Sequence, residues 1–330
     1  MAPKDKMQRA AQCLNRRLGV DWERAELEKG PKFPRCRVRL DRLVVTTGGF
    51  HADVRSAIPQ FICRKKHFLR RARPEDVLPY ARLTEFVSET SIEQMFVLTE
   101  PQLLRVKPCK ITMIAKDTTG LNAKDVLSVL NTLPDVRVVT LELAFDFRRA
   151  SGIDGSYVRR HAVFGKARQR GVGLWFGYDN WGCRTGRKLI RSYYKTQIRA
   201  HRLELQLNGP FQERHGIVGL FDFWRLAKTV PIKQILFAQL NELKVIAWLR
   251  NNGCSAAEVL RVMQRVYGFE ENLLAQCRVL RRKGGIKNVN RFLVPLATNE
   301  LVKESLRTWI KRWQQTFPEG KKNASKVMDR

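Results

Sequence analysis

Lys188–Gly209, KLIRSYYKTQIRAHRLELQLNG, contains the alternation that decides the fold. In AHRLELQL (200–207), Leu203, Leu205 and Leu207 take one side of an extended strand. Arg202, Glu204 and Gln206 take the other, because successive strand side chains point to opposite faces. In KLIRSYYK (188–195) the same period puts Tyr193 with Arg191 and Lys195, and Tyr194 with Ile190 and Ser192. A turn rich in glycine, between Gly182 and Gly186, joins this strand to GLWFGYD (173–179), so the region is expected to be a hairpin plus a third strand.

Outward from that stretch, VRVVTLELAFDF (136–147) repeats the pattern. Leu141, Leu143, Phe145 and Phe147 face one way, and Glu142, Ala144 and Asp146 the other. Before it, KITMIAK (110–116) reads as a strand and NAKDVLSVLNTL (122–133) as a helix capped by Asn122. CRVRLDRLVVTT (36–47) supplies a first strand, and CRKKHFLRRAR (63–73) a basic run.

After Pro210 the texture turns helical. One helix is expected from Pro231 through KQILFAQLNELKVIAWLR to Gly253. A second carries a Ser255/Glu258 capping box, a third spans 270–283, and a last one holds Leu301, Leu306, Trp309, Trp313 and Phe317 at helical spacing. The expected fold class is α+β: an antiparallel-sheet catalytic domain over 35–210, built of strand–helix–strand plus hairpin, followed by a mostly α-helical domain over 211–317. A basic arm, 1–34, precedes these and a flexible tail, 318–330, follows.

The 330 residues include 62 Lys and Arg against 31 Asp and Glu, a formal charge of +31, while 44% are hydrophobic. A chain that can fold and carries this excess calls for a polyanionic partner. Nucleic acid fits better than a membrane, since no window approaches 18 uninterrupted apolar residues and the first 30 are charged throughout. With no secretory signal in view, a cytoplasmic protein is expected. The seven cysteines are scattered and form no CxxC, which argues for reduced thiols, mostly small buried hydrophobes, and against a zinc site.

The acids set the chemical question. Glu142 and Asp146 lie about 13 Å apart along a strand, too far to share one ion, so a second ligand must come from a neighbouring strand about 4.8 Å away. Glu204 is the candidate, with either Glu142 or Asp146, and hard oxygen ligands select Mg²⁺ or Mn²⁺. Solvated acids on the wet face of an antiparallel sheet explain the same letters. Against that stands the cationic setting, because acids inside a polyanion-binding surface repel phosphate unless a cation sits on them.

A tyrosine, with an ordinary pKa of about 10, is a poor nucleophile unless its surroundings favour the phenolate. Arg191 and Lys195, on the same face as Tyr193, would favour the phenolate or neutralise a phosphate. Trp175, Tyr178 and Trp181 are packing residues or platforms for unpaired bases. His201 shares parity with leucines, as a satisfied, half-buried histidine would.

LELAFDF, then FGYDNWGCRTGRKLIRSYYK, then RLELQLNG resemble the core pattern of rolling-circle replication initiators of the replication initiation factor family of plasmids and filamentous phages. There an acid-bearing strand precedes a Y-x-G-S…R-x-x-R-x-Y-x-K hairpin and an R-x-E-L-x-L-K-G strand. The resemblance covers roughly 136–209. It implies an endonuclease that cuts one strand of origin DNA, joins a tyrosine to the 5′ phosphate and leaves a 3′ hydroxyl for synthesis. It sets Glu142 and Asp146 on the acidic strand, Arg191, Tyr193 and Lys195 on R-x-Y-x-K, and Arg202 and Glu204 on R-x-E.

Tyr193 and its neighbour Tyr194 are both candidates for the nucleophile. The chain departs from the pattern at Gln197, where the family often has glutamate, and at GYDNWG, which replaces G-S.

On this reading Arg191, Lys195 and Arg202 position DNA, which is partly single-stranded. Arg278, Arg281, Arg282 and Lys283 offer further contacts, from a helix-turn-helix or the basic face of a plain bundle. Host replication proteins and a second copy of the chain are the other partners it admits. Two alternatives remain: a noncatalytic nucleic-acid-binding protein whose acids pair with arginines, and a metal-dependent nuclease that uses water.

Overall fold

The computed structural model describes residues 36–49, 61–68, 79–103, 106–116, 119–164, 169–173, 178–182, 187–231 and 233–316. The basic arm, the tail and Trp175 lie outside the described residues.

Alternating apolar side chains build one large sheet. Its strands are β1 (Cys36–Thr47), β2 (Ile62–Phe68), β3 (Tyr80–Val87), β4 (Ile92–Pro101), β5 (Cys109–Ala115), β6 (Arg137–Arg148), β8 (Gln169–Gly173), β9 (Tyr178–Gly182), β10 (Lys188–Lys195) and β11 (Ala200–Asn208). They lie in the order β2-β3-β4-β5-β1-β6-β11-β10-β9-β8. All pairings in this sheet are antiparallel. With helices gathered mostly in the second half of the chain, the protein is α+β, as the alternation predicts.

The central strands β1, β6 and β11 show why the alternation was so strict. Leu40, Leu43, Leu141, Leu143, Phe145, Phe147, Leu203, Leu205 and Leu207 are all fully buried in one core. Helix α1 (Ala123–Leu130) is capped by the Asn122 side chain, which accepts from Lys124 N, and adds Val126 and Val129 to that core.

Gly120, before α1, has φ +78°, and a Cβ there would meet Cβ of Arg39 at 2.8 Å. Only glycine lets this turn approach the sheet so closely. Next to it, Leu121 N donates to Leu40 O at 2.7 Å.

Several elements escaped the sequence reading, among them β3, β4, α2 (Gly155–His161) and β12 (Ile235–Leu240). The last corrects an expectation. The chain from Pro231 to Gly253 is not one helix, because β12 pairs with β7 (Ala162–Phe164) and β13 (Leu293–Pro295) in a three-stranded sheet. Short apolar runs suit helix or strand equally, and here tertiary pairing wins. The Asn299 side chain completes the strand by accepting from Phe237 N at 2.8 Å and donating to Phe237 O at 2.6 Å.

After short helices α3 (Gly209–Arg214) and α4 (Leu226–Thr229), the helical part is α5 (Glu242–Asn251), α6 (Ala256–Tyr267), α7 (Leu273–Arg282) and α8 (Thr298–Gln315). The Ser255/Glu258 capping box forms as expected. Helices α5 to α7 enclose a second apolar core. Helix α8 instead returns to the first: Val302, Leu306, Ile310 and Trp313 join the sheet's core, and Ser305 Oγ donates to Cys36 O at 3.1 Å. Cys36, Cys109 and Cys277 are buried and free of disulfides, as small hydrophobes would be. No helix among the described residues is long and apolar enough to cross a membrane.

Candidate functional site

On the polar side of the sheet, strand register aligns residues from four strands into rows. Arg37, Asp146, Arg202 and Tyr193 form one, from β1 through β6 and β11 to β10. Arg39, Ala144, Glu204 and Arg191 form the next, and Arg42, Glu142, Gln206 and Leu189 the third. Residues far apart in sequence thus lie side by side.

Most of the charged residues at the centre of these rows are not solvated, although Arg37 at the edge is exposed. Arg202 is 0% exposed, Arg39 2%, Asp146 3%, Glu204 4% and Glu142 6%. Charges so buried must pair, since stripping water from an unpaired one costs several kcal/mol. Asp146 takes two guanidiniums: Arg39 Nε donates to Oδ2 and Arg202 Nε to Oδ1, each at 2.6 Å. Arg202 Nη1 also donates to Asp41.

The second half of the network holds Tyr193, Glu204 and Glu142. Arg191 Nη2 lies 2.7 Å from Glu142 Oε1 and 2.7 Å from Glu204 Oε2, so one nitrogen bridges two carboxylates. The Tyr193 hydroxyl donates to Glu204 Oε1. Arg42 Nη1 stands 3.9 Å from Glu142 Oε2.

Burial pushes the Glu142 carboxyl up to about 7; the charge of Glu204 adds to this, and Arg191 and Arg42 oppose it. Asp41 rises to about 6, again chiefly through burial, with Arg202 pulling the other way. Tyr193 corrects an expectation. Its phenol is pushed upward by burial, by the Glu204 charge and by the hydrogen bond to Glu204, which together outweigh Arg202 and Arg191. The phenolate is not stored there; the proton is held, with an acceptor in contact.

The geometry also separates the candidate ligands. Asp146 is saturated by Arg39 and Arg202, whereas Glu142 and Glu204 face one another across Arg191 Nη2. Oε2 of Glu142 and of Glu204 are both buried, the first 3.9 Å from Arg42 Nη1 and the second held by its ion pair with Arg191 Nη2. Among the described residues, no group of three or more His, Cys, Asp or Glu side chains could hold a metal ion. The two glutamates alone fit Mg²⁺ or Mn²⁺ of the kind that keeps most of its waters and takes substrate phosphate, provided Arg191 yields its place.

Asp41 was missed. Its signal is a broken alternation: Leu40 and Leu43, both fully buried, are three residues apart, which regular pleating forbids. The register of β1 on β6 shifts between Leu40 and Arg42, and this bulge lets Asp41 and the following Arg42 both reach the network.

Other candidates are placed elsewhere. Arg202, expected to position DNA, is fully enclosed and faces Asp146 and Asp41, so it belongs to the network's interior. The Arg191 side chain is 31% exposed and remains reachable from solvent. Lys195 is buried, with Asp41 feeling its charge. Tyr194 is 56% exposed, opposite His201 in the register. Arg278, Arg281, Arg282 and Lys283 are all exposed at the end of α7. Trp181 is buried against Phe164, as a packing residue.

His201 is satisfied, as its parity implied: Nε2 lies 2.7 Å from Ser192 Oγ. Burial lowers its pKa to about 4. From pH 6.5 down to 4 the unfolded chain binds a proton that the folded one refuses, so stability falls with falling pH through that window, by on the order of 2–3 kcal/mol. Urea midpoints of wild type and His201→Gln at pH 7 and pH 4 check this. The wild type should lose more, and equal losses would refute the assignment.

Compared with protein-family models and with curated proteins, the chain matches none.

Proposed function

We propose that the protein binds DNA over this polar face and cuts single-stranded DNA by transesterification, as an initiator of rolling-circle replication would. The observation that carries the reading is the Tyr193 hydroxyl donating to Glu204, whose carboxylate shares Arg191 Nη2 with Glu142. A nucleophile in contact with a base, and a cation beside both, is the arrangement phosphoryl transfer requires.

Tyr193 Oη attacks the phosphorus, and the bond from phosphorus to the 3′ oxygen breaks. The phenolic proton passes to Glu204 as general base, and the departing oxygen takes a proton from water. The products are a 5′-phosphotyrosine link and a free 3′ hydroxyl. Arg191, partly exposed, swings from the carboxylates to the phosphate. Glu142 and Glu204 would hold a Mg²⁺ or Mn²⁺, which supplies Lewis-acid neutralisation of phosphate charge.

A second reading draws on the closure of the network. Asp146 is saturated by two arginines and the Tyr193 proton is held firmly, as in a noncatalytic nucleic-acid-binding protein. Incubation with circular single-stranded DNA, or a random-sequence oligonucleotide pool, and Mn²⁺ separates the readings. A covalent adduct that survives denaturing gels supports transesterification. Nicking without an adduct indicates a water nucleophile, and neither product leaves binding alone.

A further inference from the structure

Beside the network, on the same sheet, opens a groove of about 410 Å³ lined by Arg42, Val44, Lys110, Thr112, Thr140, Gln206 and Asn208. The register makes it a continuous feature. Val44 lies opposite Thr112 of β5 on one side and Thr140 of β6 on the other, and Thr140 lies opposite Asn208 of β11.

Six of the seven lining side chains can donate a hydrogen bond and none is a carboxylate. Lys110 makes no ion pair or side-chain hydrogen bond among the described residues, and burial first, then the charge of Arg42, lowers its pKa. With Arg42 shared with Glu142 and Lys110 lining the same groove beside hydroxyls and amides, the groove holds more cation than anion. The neighbouring acid is Glu142, 3.9 Å from Arg42.

The groove starts one same-face step from the candidate chemistry: Gln206 follows Glu204 by two residues, ~6.6 Å along β11, and Asn208 lies ~13 Å away. We propose that this groove is a subsite for a non-scissile phosphate of the DNA strand being cut, gripped by Arg42 and Lys110 and fixing where the strand lies relative to Tyr193. The inference rests on the DNA-strand reading above and adds a direction: the strand crosses β11, β6 and β1 toward β5. Since β5 lies four strand spacings, ~19 Å, from β10, the phosphate held there is several nucleotides from the cut.

Lys110→Met tests it, because Lys110 lies on β5, outside the ion-pair network. With EDTA present to suppress cutting, anisotropy of a labelled single-stranded oligonucleotide is measured across salt concentrations. Lys110→Met should weaken binding about 3- to 10-fold at 0.1 M salt and reduce the slope of log K on log salt by about 0.7. A series of oligonucleotides with one neutral methylphosphonate each should reveal a position at which wild type loses affinity and Lys110→Met does not.

Equal affinity, slope and methylphosphonate profile in the two proteins would overturn the subsite. Millimolar dTMP or inorganic phosphate displacing a labelled mononucleotide from wild type, with oligonucleotide binding untouched by the substitution, would overturn it in favour of a free-nucleotide site. Failure of the cutting reading is seen separately: no adduct in Mn²⁺, with the slope change intact, leaves the groove as a binding subsite.

Discussion

If the protein cuts by transesterification as proposed, Tyr193→Phe should abolish the covalent DNA adduct, a fall of at least ~10³-fold, while Tyr194→Phe should retain it. Removal of a nucleophile leaves only binding and electrostatic stabilisation, which cannot make the phosphotyrosine bond. Tyr194 is the appropriate comparison. It is adjacent in sequence and more exposed, but it lies on the other side of the strand, away from Glu204.

The substitution also leaves Glu204 Oε1 without its phenolic donor, at a cost of about 1–3 kcal/mol for a buried acceptor. A loss of adduct far larger than this change in stability separates chemistry from folding. An adduct that persists in Tyr193→Phe and vanishes in Tyr194→Phe would move the nucleophile to the exposed residue. The measurement is a denaturing gel of labelled DNA with thermal melting alongside.

The second large effect is on stability. Arg202→Met should destabilise the protein by about 3–5 kcal/mol, because it strands Asp41 and half of Asp146 in a site where Arg202 has no exposure at all. Arg202→Lys should fall between, since an ammonium restores the charge but not the planar fork that spans both acids. Chemical denaturation of the three proteins gives the ranking. If Arg202→Met kept wild-type stability and lost only DNA affinity, Arg202 would be a phosphate contact and the buried network would be wrong.

The polarity of that network explains how so basic a chain keeps a folded centre. Asp41, Glu142, Asp146 and Glu204 meet Arg39, Arg42, Arg191 and Arg202 across four strands, so opposite charges cancel where water is scarce. The excess positive charge of the chain is left to surfaces such as the end of α7.

Much of this centre was legible in the letters. Strict alternation in LELAFDF and RLELQL separated Leu141, Leu143, Leu203 and Leu205 from Glu142, Asp146, Arg202 and Glu204, because a strand has only two faces. The same parity parted Tyr193 from Tyr194. Asn122 and Ser255 announced their helices because a capping side chain needs only its own next turn.

What escaped depended on partners distant in sequence. Strand β12 is a strand because β7, β13 and the Asn299 side chain satisfy its backbone, and nothing within ILFAQL records them. The burial of Arg202, the saturation of Asp146 and the pairing of Glu204 with Glu142 follow from which strands are neighbours, a fact the alternation leaves open.

By itself, then, the sequence determined the α+β class, the two faces of each central strand, the caps, and the set of acids and bases facing one way. Only the tertiary structure decided that β1, β6, β11 and β10 lie in that order, with a bulge at Asp41. Local geometry sets a side chain's direction, while its charge state and partners depend on long-range packing. Hence the expected phenolate became a phenol donating to Glu204.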